Sequence, residues 1–152
     1  MTDIRFETEQ IEDPEVVSEL SMDDYEKYRL KTGELTLDLA IVGLEDRDGD
    51  EYIKQRKNEI ADSDTEVPHP YKPEKQSREK EGELVEFSGK EGKGFADPEF
   101  KLVAEGDSMA RYSYRVFWIE FLEKEKLCEV EAYVPKGSEV DVESISRSIQ
   151  LG

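Results

Sequence analysis

Cysteine, histidine and long apolar runs are nearly missing from this chain. Cys128 is the only cysteine, so an internal disulfide framework is excluded. His69 is the only histidine, which leaves no partner for a histidine relay or a His/Cys metal cage. No apolar run exceeds four residues, Val116–Ile119 being one, and a membrane helix needs about 20. The first ten residues are polar and acidic, with neither a basic start nor an apolar stretch, so no secretory signal is read. Apolar residues make up 36% of the total, less than the roughly 45–50% usual for globular chains. The 152 residues still suffice for one core, since a chain of about 150 buries roughly 68–70% of its unfolded surface.

Acid is what the chain has in excess. It carries 39 acidic and 21 basic residues, a net charge of −18. Such a surface repels phosphates and anionic membranes, so neither direct nucleic-acid binding nor membrane insertion is expected. The charge is skewed. Residues 1–66 hold a net −13, residues 67–99 a net −2 and residues 100–152 a net −3.

Asp13-Pro14 followed by Val16, Val17 and Leu20 reads as a helix start with a short apolar stripe. Ser21-Met22-Asp23-Asp24 restarts it as a weak capping box, and Gly33 supplies a stop, predicting one broken helix or two short ones over 14–31. From Glu34 to Val42 the pattern has period two. Leu35, Leu37, Leu39 and Ile41 face one way, with Glu34, Thr36 and Asp38 opposite, as in a half-buried strand. An acidic turn, Glu45–Glu51, precedes a short charged helix from Tyr52 to Ala61. Residues 62–83, with Pro68, Pro70 and Pro73 and mixed charge, read as an extended loop or arm within one domain spanning 1–152.

The second half reads as β. A short strand at 84–87 is followed by a turn marked by Gly89, Gly92 and Gly94. Strands then come at 99–105, at 110–122 (apolar on both faces in its middle) and at 127–135, with Cys128, Val130, Ala132 and Val134 inward and Glu129 and Glu131 outward. Val140 and Val142 open a last short strand, while Ile145 and Ile149 suit strand or helix. The expected class is α+β, mostly antiparallel β as a meander, sandwich or small barrel, with short N-terminal helices and long polar loops.

Few residues offer chemistry. Asp46, Asp48 and Asp50 resemble the first half of an EF-hand calcium loop, where alternate carboxylates meet a hard cation. Glu51 stands where that loop needs glycine, and Lys57 where it needs a bidentate glutamate. These three aspartates are the one metal candidate, for Ca²⁺ or another divalent cation, in a chain otherwise expected to carry no cofactor. His69 lies between prolines in a polar stretch and reads as solvated, and Pro70-Tyr71-Lys72-Pro73 is a P-x-x-P match of a common kind. Cys128 reads as a buried structural thiol. Glu120, between Ile119 and Phe121, is the one carboxylate in an apolar setting, with Arg111 or Arg115 as its expected partner. The Gly89–Gly94 stretch lacks P-loop spacing.

No catalytic pairing emerges, so no enzyme is expected. The acidic composition resembles that of proteins from halophilic archaea and their viruses, though lysine (13) exceeds arginine (8) and glutamate (26) exceeds aspartate (13) here. That resemblance implies a soluble structural or assembly protein, a component of a virion head or tail, with other protein subunits as partners and the cytoplasm or virion as its place. An acidic decoy that mimics nucleic acid and binds a basic protein is the alternative, and a metal-dependent module or enzyme the third reading.

Overall fold

The computed structural model describes residues 4–11, 13–45, 47–61, 87–90, 98–109 and 112–151. Period-two patterning dominates them. The elements are β1 (Ile4–Phe6), β2 (Glu15–Met22), β3 (Tyr25–Thr32), β4 (Leu35–Gly43), α1 (Gly49–Ala61), β5 (Phe87–Lys90), β6 (Pro98–Met109), β7 (Tyr112–Phe121), β8 (Lys126–Pro135), α2 (Val142–Arg147) and β9 (Ile149–Leu151). Seven strands form one antiparallel sheet in the order β2-β3-β4-β8-β7-β6-β5, and β1 pairs with β9 in a separate ribbon. Two meanders, β2-β3-β4 and β5-β6-β7-β8, therefore meet at the β4–β8 seam. Among the described strands the sheet is open, not a barrel, with β2 and β5 at its two edges.

The expected helices over 14–31 are replaced by the β2–β3 hairpin. Val16, Val17 and Thr32 are β-branched and favour a pleated surface. Tyr28 and Leu30, two apart, bury their side chains together, as strand geometry requires. The supposed capping box is the hairpin loop itself, since Met22 faces Tyr25 and leaves Asp23-Asp24 as a two-residue turn. Gly33, expected as a helix stop, lies at φ +59° in the next two-residue loop, where Thr32 faces Leu35. A positive φ there suits the twist of the flanking strands.

One face of the sheet builds the larger core. Leu37, Leu39, Ile41, Phe117, Ile119, Cys128, Val130 and Ala132 pack there beneath α2 and the β1–β9 ribbon, which contribute Val142, Ile145, Ile149 and Leu151. The inward side of β8 is the one its alternation predicts. Val142 starts a helix instead of a strand because Asp141 caps it, its carboxylate accepting from Ser144 N at 3.2 Å. The ribbon is tied down by Lys124, whose Nζ donates to the Leu151 carbonyl.

The opposite face carries α1, with Ile53, Val116, Trp118, Leu127 and Tyr133 forming a smaller core. β4 is consequently buried on both faces, Thr36 and Asp38 included, and not half-exposed. Helix α1 begins at Gly49, three residues earlier than its pattern suggests. Residues 84–86, Gly92 and Gly94 and the predicted arm at 62–83 lie outside the described residues, while Gly89 pairs with Phe100 inside β5 instead of forming a turn.

Candidate functional site

Beneath α1 lies a cluster of ionised groups. Register places Asp38 of β4 opposite Glu131 of β8, and Trp118 of β7 opposite Glu129. Facing carboxylates on adjacent strands repel. Two arginines hold them in place. Arg29, from β3, grips Asp38 with Nε on Oδ1 at 2.7 Å and Nη2 on Oδ2 at 2.9 Å. Arg56, projecting down from α1, donates to Glu129 with Nε at 2.7 Å and Nη2 at 3.2 Å, and lies 3.5 Å from Glu131. Trp118 Nε1 adds a third hydrogen bond to Glu129, at 2.9 Å.

Each group responds to this setting. Burial opposes the charge on Arg56, but hydrogen bonds to Glu129 and Glu59 and the field of Glu131 outweigh it, so its pKa rises. Arg29 is also raised, chiefly by its hydrogen bond to Asp38. Burial, then the charge of Glu129, lifts the Tyr52 hydroxyl to about 12. Glu131 is pushed up to about 7, first by burial and then by repulsion from Glu129 and Asp38. A carboxyl poised near neutrality also occurs in acid–base catalysts, but structural ion networks perturb pKa in the same way. Here Arg56 engages both glutamates from above, so the arrangement clamps α1 to the sheet.

The sequence placed Glu129 and Glu131 on the outward side of β8 and did not single out Arg56, Arg29 or Asp38 as partners. Arg56 and Glu129 lie 73 positions apart, and no local pattern announces that pair. The one available signal was the alternation of Glu129 and Glu131 in the same strand that buries Cys128 and Val130.

Glu120 is buried, as its apolar neighbours suggested, but Arg115 is not its partner. Five residues of regular strand put the two on opposite faces of β7. Arg111 lies outside the described residues. The Glu120 carboxylate instead abuts Gly49 at the start of α1, where the helix dipole favours negative charge. A Cβ on Gly49 would come within 2.7 Å of that carboxyl group. Gly49→Ala is therefore expected to lose about 1 kcal/mol, although helix propensity alone would predict a gain. Urea unfolding checks this, and Glu120→Ala in the same chain should remove most of the loss.

Asp48 serves as a helix cap, its Oδ1 accepting from Asp50 N at 3.0 Å, and Asp50 lies in the first turn of α1. Asp46 and His69 lie outside the described residues. Among the described residues, no group of three or more His, Cys, Asp or Glu side chains could hold a metal ion. Cys128 is fully buried, and burial lifts its thiol to about 12, which makes it a poor nucleophile. A groove of about 740 Å³ along α1, between Arg47, Glu51, Tyr52 and Asn58, mixes both charge signs.

A second feature lies at the edge of the sheet. Every residue of β2 is exposed, and Val16, Val17, Leu20 and Met22 are 53%, 49%, 50% and 62% accessible. Helical reading of 14–31 concealed this strand. Its inner edge pairs with β3, and among the described strands nothing pairs with its outer edge.

Compared with known proteins, the chain matches no family model, no curated protein and no solved structure. Among the described residues no helix is long and apolar enough to cross a membrane.

Proposed function

We propose that this chain is a non-enzymatic structural protein that joins a larger assembly, such as the virion of a halophilic host, with other protein subunits as its partners. The observation that carries this reading is β2. An edge strand presents unpaired N–H and C=O groups, and proteins ordinarily blunt such an edge with charged residues, proline, a bulge or a cover. β2 carries Glu15 and Glu19 and a register shift between Val16 and Ser18, but no lysine or proline, and it displays four large apolar side chains. Exposed apolar surface on a strand edge favours strand-to-strand association.

A nucleic-acid mimic would gather its acids into one stripe. The described acids of residues 1–66 are spread instead over both ends of the sheet, its strands (Glu15, Glu19, Glu26, Asp38) and α1 (Asp50, Glu51, Glu59). Asp23, Asp24, Glu45 and Asp48 lie at the end where Asp24 O accepts from Gly43 N, while Glu9, Asp13 and Glu34 lie at the other, near the start of α2. The decoy is accordingly the weaker reading.

The test is the size of the particle that contains this chain in the cells that make it. The chain should sediment far faster than a free 17.5 kDa protein. A Val16→Lys/Leu20→Lys variant should be released to the free fraction. Slow sedimentation of the unaltered chain would refute the assembly reading.

A further inference from the structure

We propose that the outer edge of β2 receives a basic, amphipathic extended segment of another protein, one that alternates lysine or arginine with apolar residues. The proposal rests on the assembly reading above and gives its partner a chemistry. β2 supplies the backbone for such an addition. It lies at an edge of the described sheet, and its pairing with β3 runs without interruption from Ser18 to Met22. An extended chain laid along those residues continues the ladder. Its side chains then alternate between the two faces of the sheet, whichever way it runs.

The two faces of β2 ask for different side chains. Ser18, Leu20 and Met22 lie on the α1 face, because Ser18 stands opposite Arg29, which reaches Asp38 beneath α1. Leu20 and Met22 are half-exposed or more there, and apolar side chains on an added strand cover them. Cations are disfavoured on that face, since Lys27 already stands opposite Leu20. Glu19 and Ser21 lie on the other face, opposite Tyr28 and Glu26. A residue set against Glu19 is therefore favoured as a cation and disfavoured as an acid, because facing charges on adjacent strands attract or repel directly.

The surroundings have the same sign. No lysine or arginine occurs between Arg5 and Lys27, the longest span of the chain without a base, and that span holds nine acids. Asp13, Glu15, Glu19, Asp23 and Asp24 line β2 and the turns at its ends. A neutral strand leaves these carboxylates unmatched, and an acidic one, a second copy of β2 included, sets like charges side by side. The ladder is short, so one such segment buries less than the roughly 1,200 Å² of a standard interface and binds weakly, with a Kd on the order of 0.1–1 mM.

Bulk attraction to a net charge of −18 would hold any cationic peptide, so the test is made in about 1 M KCl. The Debye length there is about 3 Å, and only groups in contact still feel each other. Hydrogen–deuterium exchange is followed on the purified full chain with each of three peptides, Val-Lys-Val-Lys-Val, Val-Glu-Val-Glu-Val and Val-Val-Val-Lys-Lys. The expected result is slowed exchange of β2 amides with the first alone, because a paired edge protects its outward N–H groups. Glu19→Lys should reverse the preference, so that the glutamate peptide protects β2 and the alternating lysine peptide does not. Glu139→Lys, the same change of net charge in the exposed turn after β8, should keep the parent's preference. Equal protection by the glutamate or the blocked peptide overturns the proposal, as does protection confined to residues outside β2. Protection that grows with chain concentration in the absence of peptide also overturns it, and assigns the edge to a second copy. If no peptide protects β2 while the cellular particle still depends on Leu20, the basic partner falls and the assembly reading stands. If the cellular particle is absent too, both fall.

Discussion

Replacing Arg56 with methionine is expected to cost about 3–5 kcal/mol of folding stability, the range for removing one partner of a buried ion pair. The methionine keeps much of the packing of the arginine stem, so the loss reports on charge. Without the guanidinium, Glu129 loses two hydrogen bonds and keeps the single donation from Trp118. Glu129 is 5% exposed and Glu131 16%, so water cannot replace what is removed. Urea denaturation measures the loss, and it should be larger at pH 8 than at pH 5, because a protonated Glu131 needs no cation. Arg56→Met combined with Glu129→Gln should recover a large part, since the pair is then removed together. A loss below about 1 kcal/mol would mean that the cluster is solvated and exerts little hold on α1.

Glu131→Gln is expected to stabilise the fold above neutral pH. The Glu131 carboxyl titrates near 7 in the folded chain, against 4.5 for an unperturbed glutamate. Between those values the folded state binds more protons than the unfolded state. Stability therefore falls as pH rises through this window, and the cost is complete above it. Glutamine mimics the protonated form at every pH, so the variant is the more stable of the two at pH 8 and matches the parent near pH 4. Thermal melts of both proteins from pH 4 to 8 would show the curves converging at the acid end. Parallel curves across that range would place the Glu131 carboxyl at an ordinary pKa. The two substitutions also couple. Without Arg56, ionised Glu131 faces Asp38 and Glu129 with less compensation, so Glu131→Gln should gain more in that background.

Both effects arise from a cluster that the sequence does not announce. Alternation in β4 and β8 was plain, and it assigned Leu35, Leu37, Leu39, Cys128, Val130 and Ala132 to one buried face correctly. It also assigned Asp38, Glu129 and Glu131 to the opposite face, which is where they are. What alternation cannot say is whether an opposite face meets water or another element. Helix α1 and two arginines cover this one, and for β8 that depends on where Arg56, 73 positions from Glu129 in the chain, comes to rest. The hairpin at 15–32 fails for a different reason. Val16, Val17 and Leu20 satisfy helical spacing as well as strand propensity, and Asp23-Asp24 suits a helix cap as well as a tight turn. Pairing with β4 settles the ambiguity, because Tyr28 and Leu30 bury against Leu39 and Leu37 only when they are extended.

By itself the sequence determined the β-rich class, the alternating strands of the second half, the placing of Cys128 in a core and an acidic surface, since these follow from composition and nearest-neighbour periodicity. Only the tertiary structure decided that α1 is bolted to the sheet through Arg56, that burial and its acidic neighbours raise the Glu131 pKa and that β2 lies at an edge of the described sheet. Ion pairing, desolvation and strand order are set by residues distant in the chain, and those distances close only when the sheet is assembled.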